Sequence, residues 1–375
     1  MLSRPRHLYV HVPFCARRCA YCDFSIAVRG VIPEHEYAAA VGAELARRFP
    51  SGEPWELDTL YFGGGTPSKL GGAGVARLVD ALRARVSLAP GAEVTLEANP
   101  EDVTPPAAAA WRAAGVNRIS LGAQSFDDRV LTWMHRTHDA AAIPRAVNAA
   151  RDAGFDDLSL DLIFALPEGL PRDWDRDLAA AVALAPTHLS LYGLTVEPAT
   201  PLGRWFDRGQ VGEAPEERYE REFLAAHDAL GAHGFEHYEV SNYSLPGREA
   251  RHNAAYWQRV PYVGVGPSAH GFEDETRRWN ESAYAAWMAR VEAGQDPVAG
   301  TERISGKSRT LEEVYLGLRT ARGLHLSPGE AESLQSWLDA GWGTVDPGGT
   351  LRLTAAGWLR MDALTKRLTD LRSRY

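Results

Sequence analysis

The sequence predicts an α/β protein built on a partial barrel of six βα units. Short β-type runs recur six times between residue 7 and about residue 200, and Ala/Leu/Arg segments with apolar residues at three-to-four spacing separate them. Strands that alternate with helices imply parallel pairing, and six units are fewer than the eight that close a complete barrel. The runs are HLYVHVPF (7–14), LDTLYFGG (57–64), EVTLEANP (93–100), RISLGAQS (118–125), DDLSLDLIFALP (156–167) and HLSLYGLTVEP (188–198).

The rest of the chain changes character twice, so we predict three regions: 1–200, 201–304 and 305–375. The middle region holds a helix over 216–235 and then aromatic loops. The last region reads as two helices, a ribbon around DPGGT and a final helix, which is a winged-helix-like pattern. By fold analogy alone, this pattern would suggest DNA binding. The region has acidic residues and few lysines, however, which favours a module that packs on the barrel or contacts another protein.

Composition limits the classes of function. The 375 residues are 45% hydrophobic and carry a formal net charge of −9, so we expect no nucleic-acid partner. No run approaches 18 apolar residues and no signal-peptide core is visible, which predicts a cytoplasmic protein. The three cysteines are an odd number packed into one short stretch, so they are expected to be thiols that bind metal rather than disulfides.

The cysteines lie in HVPFCARRCAYCDF (11–24) as Cys15, Cys19 and Cys22, directly after the first predicted strand. Three thiolates at this spacing can bind three corners of a [4Fe-4S] cluster and leave the fourth iron open. One alternative is a zinc site with His11 as the fourth ligand, because structural zinc is normally four-coordinate. A second alternative, three buried apolar cysteines, is disfavoured by the charged residues between them.

CARRCAYC, with an aromatic residue before the third cysteine, resembles the radical S-adenosylmethionine (SAM) superfamily. The resemblance implies a radical-SAM partial (βα)6 TIM-like barrel in which the amino and carboxylate groups of SAM chelate the open iron. It also implies that a reduced cluster cleaves SAM to a 5′-deoxyadenosyl radical. The missing fourth ligand would then be SAM rather than a protein side chain.

The resemblance extends to residues at the other strand ends. Glycines in GGGTP (63–67) can bring backbone close to the amino-acid part of SAM, and Glu97 suits a sulfonium or a ribose diol, although it could instead form an ion pair at the barrel mouth. By resemblance, Gln124 and Asp161 would meet the ribose and Arg136 the carboxylate, while two tyrosines would flank the methionyl and adenine groups. The implied SAM set is Tyr9, Tyr21, Gly64, Gly65, Thr66, Glu97, Gln124, Arg136 and Asp161.

Within this superfamily, YVHVPFC, YFGGGTPS, EANPED, GAQSF, DLIFALP and LTVEPATPLG resemble the oxygen-independent coproporphyrinogen III oxidase-like group over essentially the whole chain. The oxidases carry a further cysteine two residues after the third and a longer N-terminal extension. Here that position is Phe24, and only 14 residues precede Cys15. The chain therefore resembles the HemW-type heme chaperones more, with radical-SAM oxidative decarboxylation in porphyrin biosynthesis as the alternative.

HNAAYW (252–257) corresponds to the HNxxYW heme motif of those chaperones. The resemblance implies an axial imidazole and flat aromatic surface for a porphyrin, and the alternative for this histidine is a hydrogen-bonded core residue. His270 is a second candidate axial ligand. The implied heme set is His252, Asn253, Tyr256 and Trp257.

Taken together, the resemblance implies a heme carrier rather than an enzyme, with a [4Fe-4S] cluster, SAM and heme as cofactors. The resemblance implies transfer of heme to an acceptor hemoprotein, such as a membrane respiratory protein, and allows a homodimer.

Overall fold

The computed structural model describes residues 5–49, 54–170 and 172–373. The first half of the chain alternates strands with helices. Its strands are β1 (His7–Val12), β2 (Phe14–Cys15), β3 (Ala27–Val28), β4 (Trp55–Gly64), β5 (Val86–Ala98), β6 (Arg118–Gln124), β7 (Asp157–Phe164) and β8 (His188–Gly193). Its helices are α1 (Glu34–Arg48), α2 (Gly71–Arg83), α3 (Pro105–Ala114), α4 (Asp128–Trp133), α5 (Ala142–Asp152) and α6 (Trp174–Ala183), with 3-10 turns at Pro67–Leu70 and Pro100–Asp102.

The middle of the chain contains shorter elements. Its helices are α7 (Pro201–Asp207), α8 (Glu216–Ala232), α9 (Arg251–Trp257) and α10 (Tyr284–Glu292). Its strands are β9 (Glu236–Glu239), β10 (Asn242–Ser244), β11 (Val263–Val265), β12 (His270–Glu273), β13 (Thr276–Asn280) and β14 (Val298–Arg303). The last three of these strands form an antiparallel sheet of their own.

Within 305–373, the C-terminal segment joins five helices to a small three-stranded sheet, where the sequence pattern predicts three helices and a ribbon. Its helices are α11 (Gly306–Arg319), α12 (Glu330–Ser333), α13 (Gln335–Asp339), α14 (Ala355–Trp358) and α15 (Met361–Arg372). Its strands are β15 (Leu324–His325), β16 (Gly343–Val345) and β17 (Thr350–Leu353), and they form a three-stranded sheet in the order β15-β17-β16. No helix in the described part of the chain is both long and apolar enough to cross a membrane.

The central sheet has nine strands in the order β11-β1-β4-β5-β6-β7-β8-β10-β9. The six predicted runs supply β1 and β4 to β8, and these six strands pair in parallel, which confirms the α/β class and is consistent with a partial barrel. The sequence prediction did not include β11, which adds a seventh parallel strand beside β1. On the other side, β10 and β9 continue the sheet in antiparallel fashion.

The strands of the barrel are apolar on one face and polar on the other. In β1, Leu8 and Val10 are fully buried in the hydrophobic core that the outer helices share, whereas His7 and Tyr9 alternate with them on the inner face. Polar inner side chains on neighbouring strands hydrogen-bond to one another, as His7 Nδ1 does with Thr59 Oγ1 at 2.9 Å. These bonds satisfy groups that would otherwise be costly to bury.

Helix α9 docks against this polar inner face. The carboxylate of Glu93, on β5, accepts hydrogen bonds from the backbone N–H groups of Arg251 (2.9 Å) and His252 (3.0 Å). A carboxylate at a helix N-terminus satisfies free N–H groups and complements the helix dipole. The first turn of α9 is therefore anchored to the barrel interior.

A buried carboxylate ties the N-terminal half of the chain to the middle segment. Glu44, on α1, is 1% exposed and accepts hydrogen bonds from the Gly266 N–H (2.9 Å), Asn280 Nδ2 (2.6 Å) and Trp287 Nε1 (2.8 Å). Gly266 directly follows β11, so this junction fixes the added strand. Burial raises the pKa of the Glu44 carboxyl, although its three donors act in the opposite direction.

Candidate functional site

A cavity of about 360 Å³ opens where the parallel strands of the barrel end. The carboxyl ends of parallel strands are where α/β folds collect polar groups into binding sites. The three cysteines and eight of the nine residues in the implied SAM set lie in its wall. These residues are Cys15, Cys19, Cys22, Tyr21, Gly64, Gly65, Thr66, Glu97, Gln124, Arg136 and Asp161.

The cysteines lie on a loop whose conformation is held by hydrogen bonds. The Cys22 N–H donates to the Cys19 carbonyl at 3.4 Å, and the Arg18 guanidinium donates to the Cys22 carbonyl at 3.2 Å. Cys15 Sγ lies 3.3 Å from Thr66 Oγ1, which belongs to the glycine-rich turn after β4. Burial raises the pKa of the Cys15 thiol, and it raises the pKa of Cys22 to about 11, so a metal would have to displace these protons.

His11, the proposed fourth ligand of a zinc site, is already engaged with other groups. Its Nδ1 hydrogen-bonds the Tyr9 hydroxyl at 3.1 Å and its Nε2 lies 3.0 Å from the Ser25 carbonyl oxygen. Burial lowers the pKa of His11 to about 4. Within 5–49, 54–170 and 172–373, no three His, Cys, Asp or Glu side chains are grouped so that they could hold a single metal ion.

Arg136 is the buried cation of the cavity wall, which the exposed Arg17 also lines. Its Nη2 donates to Asn99 Oδ1 at 2.7 Å and to the Gly122 carbonyl at 2.9 Å, and its Nη1 donates to Cys19 Sγ at 3.4 Å. Its Nε is buried and has no hydrogen-bond partner among the described residues. A guanidinium held in this way is preorganised for a carboxylate. Sequence reasoning missed Asn99, whose signal was its place in EANP, directly after β5.

Two carboxylates face the cavity from β5 and β7. Glu97 accepts hydrogen bonds from the Tyr61 hydroxyl (2.8 Å) and the Gly64 N–H (3.0 Å), and Asp161 accepts one from Ser120 Oγ (3.1 Å). Burial raises the pKa of Glu97 to about 7, while the Tyr61 hydrogen bond acts to lower it, and burial raises the pKa of Asp161 to about 6. Both groups therefore titrate close to neutral pH.

The titration of Glu97 predicts a pH-dependent stability. The folded-state pKa of about 7 lies above the ordinary value of 4.5, so the stabilisation is complete below pH 4.5 and is lost as the pH rises through 7. We expect the free energy of unfolding of the wild type to fall across this range, relative to Glu97→Gln, by at most about 3 kcal/mol. Urea unfolding of the wild type and of Glu97→Gln at pH 5 and pH 7.5 gives the four free energies of unfolding. If the free energy changed equally with pH in both proteins, the raised pKa of Glu97 would be contradicted.

Backbone geometry at two strand ends brings the chain close to the cavity. Gly64 has φ 113°, in the left-handed region that favours glycine, and a Cβ on Gly65 would lie 2.6 Å from the Pro13 carbonyl oxygen. Gln124 also has a positive φ, 66°, where the pairing of β6 with β7 shifts register. Such backbone strain in a non-glycine residue is characteristic of functional sites.

Tyr9 is the one residue of the implied SAM set that does not line the cavity. It lies on the inner face of β1, where its ring stacks on Tyr61 with 6.0 Å between ring centroids. Its hydroxyl is bonded to His11, as described above. The structure therefore places Tyr9 behind the cavity wall rather than in it.

The residues of the implied heme set are placed apart from this cavity. His252 is fully buried on α9, with Nδ1 2.6 Å from Thr59 Oγ1 and Nε2 2.7 Å from the Tyr256 hydroxyl. Burial lowers its pKa to about 3, so the imidazole is neutral at physiological pH. This placement corresponds to the alternative of a hydrogen-bonded core residue.

The remaining heme candidates lie in different surroundings. Asn253 is partly exposed, and Trp257 packs under the Arg319 guanidinium, 4.2 Å from the ring centroid. Trp257 also lines a second cavity of about 440 Å³ beside the C-terminal segment. His270, on β12, is exposed, and its ring stacks beside Trp279 with 6.0 Å between centroids.

The chain is similar to known proteins over most of its length. Residues 9–180 match the Radical SAM superfamily. The heme chaperone HemW of Mycobacterium tuberculosis (strain H37Rv) is 38% identical over 373 residues, which cover 98% of this chain and 96% of the relative. The chain belongs to the HemW family of radical SAM proteins. The HemW of Synechocystis is 37% identical, over 85% of this chain and 79% of its own length.

A solved structure supports the fold of this HemW-family chain. Coproporphyrinogen III oxidase (HemN) from Escherichia coli, a radical SAM enzyme, superposes with a TM-score of 0.79 and covers 97% of this chain and 89% of its own. The two sequences are 23% identical, so this likeness concerns the architecture. It extends through the C-terminal segment as well as the barrel.

Radical SAM membership implies a [4Fe-4S] cluster and SAM, and the cavity of this HemW-family chain fits both. Three thiols supply soft ligands for iron, while a guanidinium with an unpartnered Nε and two carboxylates supply polar partners for an amino acid and a ribose. In radical SAM proteins such a cluster supplies the electron for the reductive cleavage of SAM, and here the three cysteines would hold it. The protein's share is orientation of the ligand and exclusion of water.

Proposed function

We propose that this chain is a heme chaperone, which binds a [4Fe-4S] cluster and SAM in the strand-end cavity, binds heme, and passes the heme to an acceptor hemoprotein. The observation that carries the proposal is the match with curated heme chaperones over 98% of the chain at 38% identity. We further propose a membrane respiratory protein as the acceptor and a homodimer as the working form.

In this proposal the cavity divides into two parts. Cys15, Cys19 and Cys22 hold the cluster, and Arg136 holds the SAM carboxylate while the backbone of the glycine-rich turn approaches its amino group. The contacts that support this are the Arg136 hydrogen bonds to Asn99 and Gly122, which fix the guanidinium beside the Cys19 sulfur. The ribose would lie toward Gln124, Glu97 and Asp161, which line the same cavity.

Heme is proposed to bind the HNxxYW segment through His252. The neutral state of this imidazole favours iron ligation, because no proton competes with the metal. Ligation would require His252 to leave Thr59 and Tyr256, so α9 would have to move away from the inner face of the barrel. Heme ligation would therefore exchange contacts that hold this seven-residue helix against the barrel for the bond to iron.

The test is a heme titration of the cluster-loaded protein, followed through the Soret band. We expect His252→Ala to weaken heme binding at least about tenfold, since it removes the axial ligand. His270→Ala is the matched comparison, because it removes the exposed second candidate. Unchanged affinity in His252→Ala would remove the motif from the proposal, and loss in His270→Ala alone would transfer the ligand role to that residue.

The alternative function is the oxidative decarboxylation of coproporphyrinogen III. Phe24 occupies the position of the additional cysteine of the oxidases, lines the cavity and is 60% exposed. An anaerobic assay with reductant, SAM and coproporphyrinogen separates the two functions. We expect no protoporphyrinogen, and turnover coupled to 5′-deoxyadenosine would establish the oxidase instead.

A further inference from the structure

A continuous series of contacts connects the HNxxYW histidine with the wall of the cavity. The His252 ring stacks on Tyr61, with 5.1 Å between centroids and 26° between planes. The Tyr61 hydroxyl donates to Glu97 Oε1 at 2.8 Å, and Glu97 lines the cavity. Only one aromatic ring therefore separates the proposed heme ligand from the carboxylate proposed to face SAM.

We infer that His252 is a positioning residue for Glu97 and acts through the ring of Tyr61. The inference rests on the proposed binding of SAM in the cavity. It assigns to the histidine of the HNxxYW segment a role in the SAM site that is separate from heme ligation.

The first argument is that two rings pack against Tyr61, one from the neighbouring strand β1 and one from α9. Tyr9 stacks on it with 25° between planes, and His252 stacks on it with 26°. Both Tyr61 and Glu97 pack close to the backbone of Gly63, since a Cβ there would lie 2.8 Å from Tyr61 Cε1 and 3.0 Å from Glu97 Oε1. The plane of the Tyr61 ring, and with it the direction of its hydroxyl, is thus set by the two neighbouring rings.

The second argument is that His252 is itself held in one orientation. Both of its ring nitrogens are hydrogen-bonded, to Thr59 on β4 and to Tyr256 one turn later on α9. Its backbone N–H is bonded to Glu93 on β5. The two ring bonds and the backbone bond together make the imidazole a rigid surface on which Tyr61 stacks. Rigid support of this kind keeps a binding group in place.

The consequence is a coupling between the two proposed sites. If heme takes His252 as a ligand, the imidazole must leave Thr59 and Tyr256, and Tyr61 then loses the ring from α9 that stacks on it. The hydroxyl that orients Glu97 becomes less well fixed, so heme ligation and SAM binding oppose each other. By linkage, each ligand weakens the binding of the other by the same factor.

The test compares three single variants and one double variant. Tyr61→Phe keeps the ring but removes the hydrogen bond to Glu97, and His252→Gln removes the flat ring. His237→Gln is the matched control, because His237 also stacks on a tyrosine (Tyr243, 3.9 Å) and has both ring nitrogens hydrogen-bonded, but lies on the edge strand β9. Two readouts are used: SAM affinity of the cluster-loaded protein by calorimetry, and the infrared carboxyl band of Glu97 in the cofactor-free protein, identified by its loss in Glu97→Gln.

We expect Tyr61→Phe to weaken SAM binding about tenfold and to shift the Glu97 band, because a hydrogen bond to a carboxylate is lost. His252→Gln should weaken SAM binding and shift the Glu97 band in the same directions as Tyr61→Phe does. His237→Gln should change neither the SAM affinity nor the Glu97 band. In the Tyr61→Phe background, His252→Gln should add nothing, since its effect passes through the missing hydroxyl. An unshifted Glu97 band in His252→Gln, or an additive effect in the double variant, would overturn the inference.

The readouts also separate this inference from the proposed function. Failure of SAM to bind the wild type would refute the proposed SAM site, whereas the infrared band tests the positioning of Glu97 without any cofactor. Heme affinity of Tyr61→Phe should stay at the wild-type value or increase, because the histidine itself is unchanged. A fall in that affinity would contradict the predicted opposition between the two sites.

Discussion

Cys19→Ala is expected to abolish cluster binding while the fold is retained. Cys19 lies in the cavity wall between the other two cysteines, and the chain contains no fourth cysteine that could replace it. Iron–sulfur clusters are held by thiolates, and an alanine offers no ligand. After anaerobic reconstitution, the bound iron should fall from about four atoms per chain to near zero. Iron analysis and the broad visible absorption of the cluster measure this loss.

The matched control is Phe24→Ala, in the same loop. Phe24 is exposed and carries no ligand atom, so this variant should bind iron like the wild type. Circular dichroism of both variants should be unchanged, because partly exposed Cys19 packs little of the core. Full iron content in Cys19→Ala would show that Cys19 is not a cluster ligand. Loss of iron in both Cys19→Ala and Phe24→Ala would indicate general damage to the loop.

Glu44→Ala is expected to be the most destabilising substitution outside the site, at about 4 kcal/mol in the free energy of unfolding. The alanine would leave three buried donors without an acceptor, from Gly266, Asn280 and Trp287. Each buried donor left unsatisfied costs about 1–3 kcal/mol, and part of this is recovered by relaxation. Equilibrium urea unfolding of the cofactor-free protein measures the loss.

Two variants on the same helix make this prediction specific. Glu36→Ala removes an exposed carboxylate and should change the stability by less than about 0.5 kcal/mol. Glu44→Gln keeps one acceptor oxygen and should lie between the wild type and Glu44→Ala. A loss of under about 1 kcal/mol in Glu44→Ala would show that the junction does not depend on this carboxylate.

The main strands of the barrel could be predicted because each is long and alternates between an apolar and a polar face. β11 could not, since Val263–Val265 is only three residues long and its partner, β1, lies at the other end of the chain. The second of the two helices predicted before the ribbon, SPGEAESLQSWLDAGW (327–342), is two short helices in the structure. They meet at Leu334, which is fully buried and has φ −105° and ψ 4°, so packing overrides the helical pattern there.

The cavity could be predicted because parallel strands end at one edge, which brings their terminal motifs together without any knowledge of tertiary contacts. Tyr61 could not, because its role depends on rings contributed by β1 and α9, which no local pattern connects to it. His252 could be predicted only in part. Its motif can be recognised in the sequence, but its burial between Thr59 and Tyr256 depends on the packing of the barrel.

The pairing of β1 with β11 has a consequence for the biosynthesis of the protein. Leu8 pairs with Val263, so β1 obtains this neighbour only after the roughly 250 residues between them have been translated. Contacts between such distant segments form late in folding, because a long loop has to be closed first. The cysteine loop follows β1 directly, and its support is therefore incomplete on the nascent chain. Stable cluster assembly should accordingly require β11, detectable as iron incorporation into nascent chains only once they extend well beyond Val265.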